Sequence, residues 1–162
     1  MEGFTTSDSD GEQHAFKTLD LSRCMLGQEA LESRLLGHLQ DDQHSADNIE
    51  NLILSDNRLL ALPECVSRFT SLRVLDVSGN NLKHLPDFLA SCPLTSLIAK
   101  NNGLHNDSLP KAFSSSIKEL NLSGNNLTDF PPQVLEMTSL KYLYLGGNKI
   151  DTVPSEVHRI SG

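Results

Sequence analysis

Aliphatic side chains recur along this sequence at a nearly constant spacing, and this repeat limits the possible folds more than any other feature. A unit with aliphatic residues at positions 1, 4, 6 and 11 and asparagine at position 9 occurs five times in succession. Leucine accounts for 28 of the 162 residues, whereas aromatic residues make up only 5%. Repetition with a period of about 20–50 residues is typical of a solenoid, in which each unit buries its apolar side against the next. The units begin at Ile49, Leu72, Leu94, Ile117 and Leu140.

Asparagine occupies position 9 of all five units, where the chain must turn away from the inner side of the coil. Its amide can donate to and accept from the backbone groups of that turn and of the neighbouring coil. A buried backbone group without a partner costs about 1–3 kcal/mol, so we expect these side chains to be buried and hydrogen-bonded. The structural asparagines are Asn57, Asn80, Asn102, Asn125 and Asn148.

The two halves of each unit predict different structures. Positions 3 to 7 alternate between outward and inward side chains, which is the periodicity of a β-strand. Later in each unit an apolar residue precedes proline, as in Leu85–Pro86, and proline favours turns or short 3₁₀ pieces. We therefore predict an α/β solenoid arc with a short parallel β-sheet on its concave face and irregular or 3₁₀ turns on its convex face. The third unit is longer between Leu104 and Leu109, and residues 105–108 are expected to bulge there.

The chain before Ile49 departs from the regular spacing. Residues 14–48 are interpreted as an irregular first repeat, in which Cys24 takes the asparagine position. The leucines at 31, 35 and 39 share one helical face, which predicts a helix over 28–39, and such an atypical unit is typical of a capping repeat. Residues 1–13 are predicted to be a disordered acidic tail. The rest is divided into repeats over 49–71, 72–93, 94–116, 117–139 and 140–162.

The fifth repeat has no polar closing segment before the sequence ends at Gly162. Because the terminal repeats of a solenoid need caps, its apolar edge is expected to face water or a partner. We therefore expect that the chain can self-associate end to end through this uncapped repeat. We interpret the chain as a fragment or short form of a longer solenoid. The residues of this edge are Leu143, Leu145, Ile150, Val153, Val157 and Ile160.

These units resemble the leucine-rich repeats of intracellular proteins with 23-residue units that contain a Leu-Pro pair. The resemblance rests on the segments LDLSRCMLGQEALES, LLALP, LDVSGNNL, IAKNNGL, SLPKAF, LNLSGNNL and LYLGGNKI, which run from about Leu19 to Val157. It implies a cytosolic, non-catalytic binding protein. In that family the outward residues of the strands form the usual partner surface.

The outward positions of the strands contain apolar and aromatic residues among polar ones. Both tyrosines of the chain lie there in a single coil. Exposed aromatic and aliphatic groups are typical of an interface core, although the same residue types also simply favour β-strands. The predicted partner-binding residues are Ile53, Val74, Asp76, Ile98, Lys100, Glu119, Asn121, Tyr142 and Tyr144.

The sequence gives no sign of catalytic or metal chemistry. Its six histidines are scattered, and none is paired with Cys, Asp or Glu at a metal-ligand spacing. We therefore expect no metal, no cofactor and no enzymatic activity. A net charge of −8 disfavours nucleic acids and anionic membrane surfaces as partners. Three cysteines without CxxC spacing and the absence of a secretory signal pattern favour the cytoplasm, with the nucleus left open.

The leading hypothesis is a protein–protein interaction module whose concave face binds a protein partner of unknown identity. Two alternatives stay open at this point. One is a substrate-recognition subunit of a ubiquitin ligase or a signalling scaffold, and the other is a truncated product without function.

Overall fold

A computed structural model of the chain describes residues 3–6, 17–40 and 45–155. One sheet contains all of the described strands in chain order, and β2 to β7 run parallel to one another. The predicted α/β solenoid arc is thus confirmed. The elements are β1 (Gly3–Thr6), β2 (Lys17–Asp20), α1 (Gln28–Leu39), β3 (Asn51–Ile53), β4 (Val74–Asp76), β5 (Ser96–Ile98), β6 (Glu119–Asn121) and β7 (Tyr142–Tyr144).

The repeated aliphatic residues form one continuous core behind the sheet. At positions 1, 4 and 6 of the second to fourth regular coils, every side chain is fully buried, including the small Ala99. Each fully buried leucine contributes about 1.5–3 kcal/mol relative to an exposed one, so stacking of successive coils is the main stabilising term. The strand centres of this core are Leu52, Leu75, Leu97 and Leu120.

The convex side consists of short 3₁₀ turns, as the proline pattern predicts. Three of them follow an apolar–proline pair directly and cover Glu64–Arg68, Asp87–Ser91 and Pro132–Glu136. The longer unit differs, because its 3₁₀ turn lies at Asn106–Ser108, within the segment expected to bulge. Asn106 attaches this bulge to the next coil: its Oδ1 accepts from the backbone N–H of Thr128 and Asp129, and its Nδ2 donates to the Asp129 carbonyl.

Helix α1 covers the N-terminal end of the convex side and spans the residues that the leucine spacing predicts. Leu31 and Leu35 are fully buried, whereas Leu39 at its last turn is only partly buried. The helix packs against the 3₁₀ turn at Glu64–Arg68. It therefore fills the place that a regular convex segment takes in the other coils.

The prediction of a disordered tail over 1–13 is wrong for Gly3–Thr6. These residues form strand β1, which pairs antiparallel with β2 in the register Phe4 to Leu19. The first parallel strand would otherwise expose a row of unpaired backbone N–H and C=O groups, and a fold-back strand satisfies them. The rest of the predicted tail lies outside the described residues, as do residues 14–16 of the first repeat, and Val157 and Ile160 of the fifth.

Position 8 of each coil adopts a left-handed backbone, which the sequence did not predict. Gly79, with φ of +69°, provides it without strain, and Asp56, with φ of +57°, is one of the few non-glycine residue types that adopt it. The two are linked, because the Asp56 carboxylate occupies the space that a Cβ at position 79 would need. Asn101 stands over Gly124 in the same way.

Candidate protein-interaction face

The parallel register aligns the outward residues into rows that run across all six parallel strands. We call the residues at positions 3, 5 and 7 the concave face. At position 3 the pairing brings Val74 between Asn51 and Ser96, and places Glu119 beside Tyr142. Neighbouring strands lie about 4.8 Å apart, so a row forms an almost continuous surface. The position 5 row is Asp20, Ile53, Asp76, Ile98, Asn121 and Tyr144.

The asparagines of position 9 fix the coils that carry this face. Asn80 donates from Nδ2 to the carbonyls of Leu54 and Val77, at 3.0 Å each, and thereby joins its own coil to the one before it. Its Oδ1 accepts from the backbone N–H of Asn57 and Leu59. The same pattern recurs along the chain and makes the face rigid. The asparagines whose Nδ2 donates to a carbonyl of the preceding coil are Asn57, Asn80, Asn102, Asn125 and Asn148.

Cys24 stands in the asparagine position of the first coil. Its thiol donates to the carbonyl of Ser22 within its own turn, at 3.3 Å, and its backbone N–H donates to Oδ1 of Asn57. The neighbour of β2 on the other side is the antiparallel β1 rather than another coil.

The two tyrosines project from the concave face at its C-terminal end. Tyr142 is 52% exposed and Tyr144 is 43% exposed, although both belong to the sheet. Tyrosine combines a large apolar area with a hydroxyl group and loses little conformational entropy on binding, which makes it a frequent interface anchor.

The apolar residues predicted for the face are half-buried and lie on adjacent strands. In the position 5 row, Ile53 of β3 and Ile98 of β5 lie on either side of Asp76 of β4. Val74 lies two residues before Asp76 on β4 and is a diagonal neighbour of both isoleucines. The three apolar side chains are each partly accessible, and they add apolar contact area without becoming a large exposed patch.

All three predicted acidic and amide residues of the face already have hydrogen-bond partners in the chain. The Oδ1 atoms of Asp76 and Asn121 accept from the backbone N–H two residues later, at 3.0 Å each, and so cap the turn after the strand. Glu119 accepts from the hydroxyl of Ser96 at 3.1 Å. These residues therefore have a structural role beside any role in binding.

Three basic residues at position 2 were missed by the sequence argument. Arg73, Lys118 and Lys141 are exposed and directly precede strands β4, β6 and β7. Strict alternation would point position 2 inward, yet all three side chains are exposed. The backbone pairing is irregular there, because the carbonyl of Lys118 accepts from the N–H groups of both Lys141 and Tyr142. These residues therefore flank the strands that carry the concave face.

Two of the three cysteines, Cys65 and Cys92, are buried. Burial raises the pKa of the Cys92 thiol. Burial also raises the pKa of Cys65, with a further contribution from Glu32, while a backbone hydrogen bond and Arg68 oppose it. Since the thiolate is the reactive form, both groups are poor nucleophiles at neutral pH. Among the described residues no three His, Cys, Asp or Glu side chains converge as a metal site would require.

The described part of the chain contains no helix of the length and apolarity needed to cross a membrane. Family models match within the same region. The model for Leucine Rich repeats (2 copies) matches residues 115–156, and the model for a single Leucine Rich Repeat matches residues 71–92. Together with the parallel sheet and the asparagine ladder, these matches define the class. The chain is a leucine-rich repeat protein.

Its sequence is similar to leucine-rich repeat-containing protein 58. The Xenopus tropicalis protein is 35% identical over 143 residues, which are 87% of this chain and 37% of that protein. The human protein is 39% identical over 127 residues, 74% of this chain and 34% of that protein. The chain thus spans little more than a third of these relatives. A leucine-rich repeat protein of Leptospira interrogans is structurally similar, with a TM-score of 0.59, 28% identity, and coverage of 70% of this chain and 29% of that one.

Proposed function

We propose that this chain is a non-enzymatic interaction module that binds a protein partner on its concave face. The observation that supports this most is the exposure of Tyr142 and Tyr144 on a strand whose position is fixed by parallel pairing with β6. A rigid scaffold presents the two rings without a cost for ordering a loop, and such preorganisation favours affinity.

The rest of the surface fits the same role. Ile53, Val74 and Ile98 add apolar area toward the middle of the arc, and the exposed Lys100 lies two residues after Ile98. Asp76 between the two isoleucines and Asn121 beside Ile98 cap their own turns. Apolar and aromatic side chains among polar ones are common at protein–protein interfaces. A location in the cytoplasm, or alternatively in the nucleus, belongs to the same proposal.

A comparison of partners in cells tests the proposal. Proximity labelling would be carried out with the wild type, with Tyr142→Ala/Tyr144→Ala, and with Met25→Ala/Leu60→Ala as a matched control. Met25 and Leu60 are 65% and 52% exposed but lie after the turn, outside the concave face. We expect the tyrosine variant to lose specific partners that the control retains. Equal partner sets for both variants would contradict a concave-face site.

No observation on the described residues favours the ligase-subunit alternative or the truncated product. The same experiment separates them. Recovery of ubiquitin-ligase subunits would favour the first alternative. Rapid degradation with no specific partner would favour the second.

A further inference from the structure

The acidic and basic side chains on and beside the concave face differ in whether they already make hydrogen bonds within the chain. Asp20 accepts from the backbone N–H and the hydroxyl of Ser22, at 2.9 Å and 2.6 Å. Asp76 and Glu119 accept from Ser78 and Ser96, as described above. These three acids are thus held by local donors, which reduces their availability to a partner.

The basic residues show the opposite situation. The side chains of Lys100, Lys118 and Lys141 are exposed and make no hydrogen bond or ion pair with another described residue. Lys118 and Lys141 precede adjacent strands, so their backbones lie about 4.8 Å apart. Tyr142 follows Lys141 directly, and Tyr144 lies two residues further along the same strand. We call these five residues the basic-aromatic end.

The charge at positions 2 to 8 of the coils also changes sign along the arc. The first three coils carry Asp20, Glu50, Asp56 and Asp76 against Lys17, Arg23 and Arg73, and Arg23 is paired with Asp56 at 3.6 Å. The last three coils carry the three lysines against Glu119 alone. A face with such a gradient selects both the charge and the direction of what lies on it.

We propose that the basic-aromatic end binds an acidic segment of a protein partner, with carboxylates at Lys118 and Lys141 and an apolar or aromatic side chain against Tyr144. This inference rests on the proposed function and names the chemistry of the partner. A long polyanion is disfavoured as the occupant, because the net charge of −8 and the acidic first coils repel it.

Selection from a random linear peptide library displayed on phage tests the inference on the whole chain. Peptides recovered on the wild type are sequenced, synthesised and measured for association kinetics at low and physiological salt. The variants are Lys118→Glu/Lys141→Glu, Tyr144→Ala and the control Lys83→Glu/Lys111→Glu, which changes the charge equally at exposed positions outside the sheet. Circular dichroism checks that each variant is folded.

We expect net-acidic peptides whose association rate falls about tenfold in Lys118→Glu/Lys141→Glu and stays within about twofold in the control. Their binding should weaken with salt and require Tyr144. Peptides that require Tyr144 but have no acidic bias would overturn this inference and leave the proposed function standing. Peptides that need neither Tyr144 nor the lysines, or no enrichment at all, would contradict both. Poly(U) that binds through the lysines more tightly than any selected peptide would overturn the acidic-peptide assignment.

Discussion

The side-chain Oδ1 of Asn80 accepts a hydrogen bond from the backbone N–H of Asn57, 3.1 Å away and one coil earlier. Asn102 accepts from the backbone of Asn80 at 3.2 Å, and Asn125 accepts from that of Asn102 at 2.9 Å. Each asparagine thus orders the turn that holds its predecessor. This linkage aligns the strands, and through them the rows of the concave face.

Replacement of Asn80 by alanine tests the ladder. The variant leaves buried carbonyl and N–H groups of two coils without partners, so we expect a loss of at least about 1–3 kcal/mol in the free energy of unfolding. Urea denaturation measures it. Asn81→Ala is the matched control, because Asn81 is exposed, and its effect should stay within about 0.5 kcal/mol. Equal effects of the two substitutions would show that the ladder contributes no stability.

Replacement of glycine by alanine should have opposite effects on stability at position 8 and within helix α1. Gly79→Ala should destabilise by about 1–2 kcal/mol from the left-handed backbone alone, with a further cost because Asp56 must move. Gly37→Ala should stabilise by about 0.5–1 kcal/mol, since Gly37 lies within α1 with open space around it. Thermal unfolding of both variants checks the signs. A stabilising Gly79→Ala would contradict the proposed turn geometry.

The extent to which this fold could be predicted depends on the range of the interactions. The asparagine positions and the strand rows follow from the period, because each coil repeats the same local contacts. Strand β1 could not be predicted from the period, because Gly3–Thr6 lies outside the repeats and pairs with the separate segment β2. The exposure of Lys118 and Lys141 did not follow from hydrophobic alternation either, because alternation does not show that the carbonyl of Lys118 accepts from two successive N–H groups.

For the predicted site residues, the direction of the side chain could be predicted from the sequence, but its hydrogen bonds could not. The exposure of Tyr142 and Tyr144 agrees with their outward positions, because strand alternation determines direction. Asp76 and Asn121 were selected for the same reason, yet their side chains bend back to cap the following turn. Residue type and periodicity specify the face on which a side chain lies. They do not specify whether a nearby backbone group already uses it. Whether these residues bind a partner stays a prediction.

Cysteine reactivity provides a pH-dependent prediction. Because burial raises the pKa of Cys65 and Cys92, we expect both thiols to react with iodoacetamide at pH 8 much more slowly than glutathione does. Stability should fall as the pH rises above the ordinary thiol pKa, because the unfolded thiols then ionise before the folded ones. Mass spectrometry of alkylated peptides gives the rate for each site. Rates equal to that of glutathione would contradict the burial of these residues.

The fifth repeat leads to a prediction about association. Leu143, Leu145 and Ile150 are only partly buried, and Val153 is 54% exposed. The residues at the corresponding core positions of the fourth repeat are buried. We expect the 162-residue chain to self-associate as its concentration rises, and Val153→Asp to reduce this. Leu60→Asp serves as the control, since Leu60 is 52% exposed within the array and at neither end. A monomer at all concentrations in sedimentation velocity would contradict end-to-end association.

Hydroxyl-radical footprinting of the chain with and without a purified partner tests the concave-face proposal most directly. Both tyrosines are accessible in the free chain, so their oxidation rates report on any molecule that covers them. We expect the rates at Tyr142 and Tyr144 to fall in the complex, while the exposed Met25 on the flank stays unchanged. Unchanged tyrosine rates, with protection confined to Met25 or to the 3₁₀ turns of the convex side, would contradict the account.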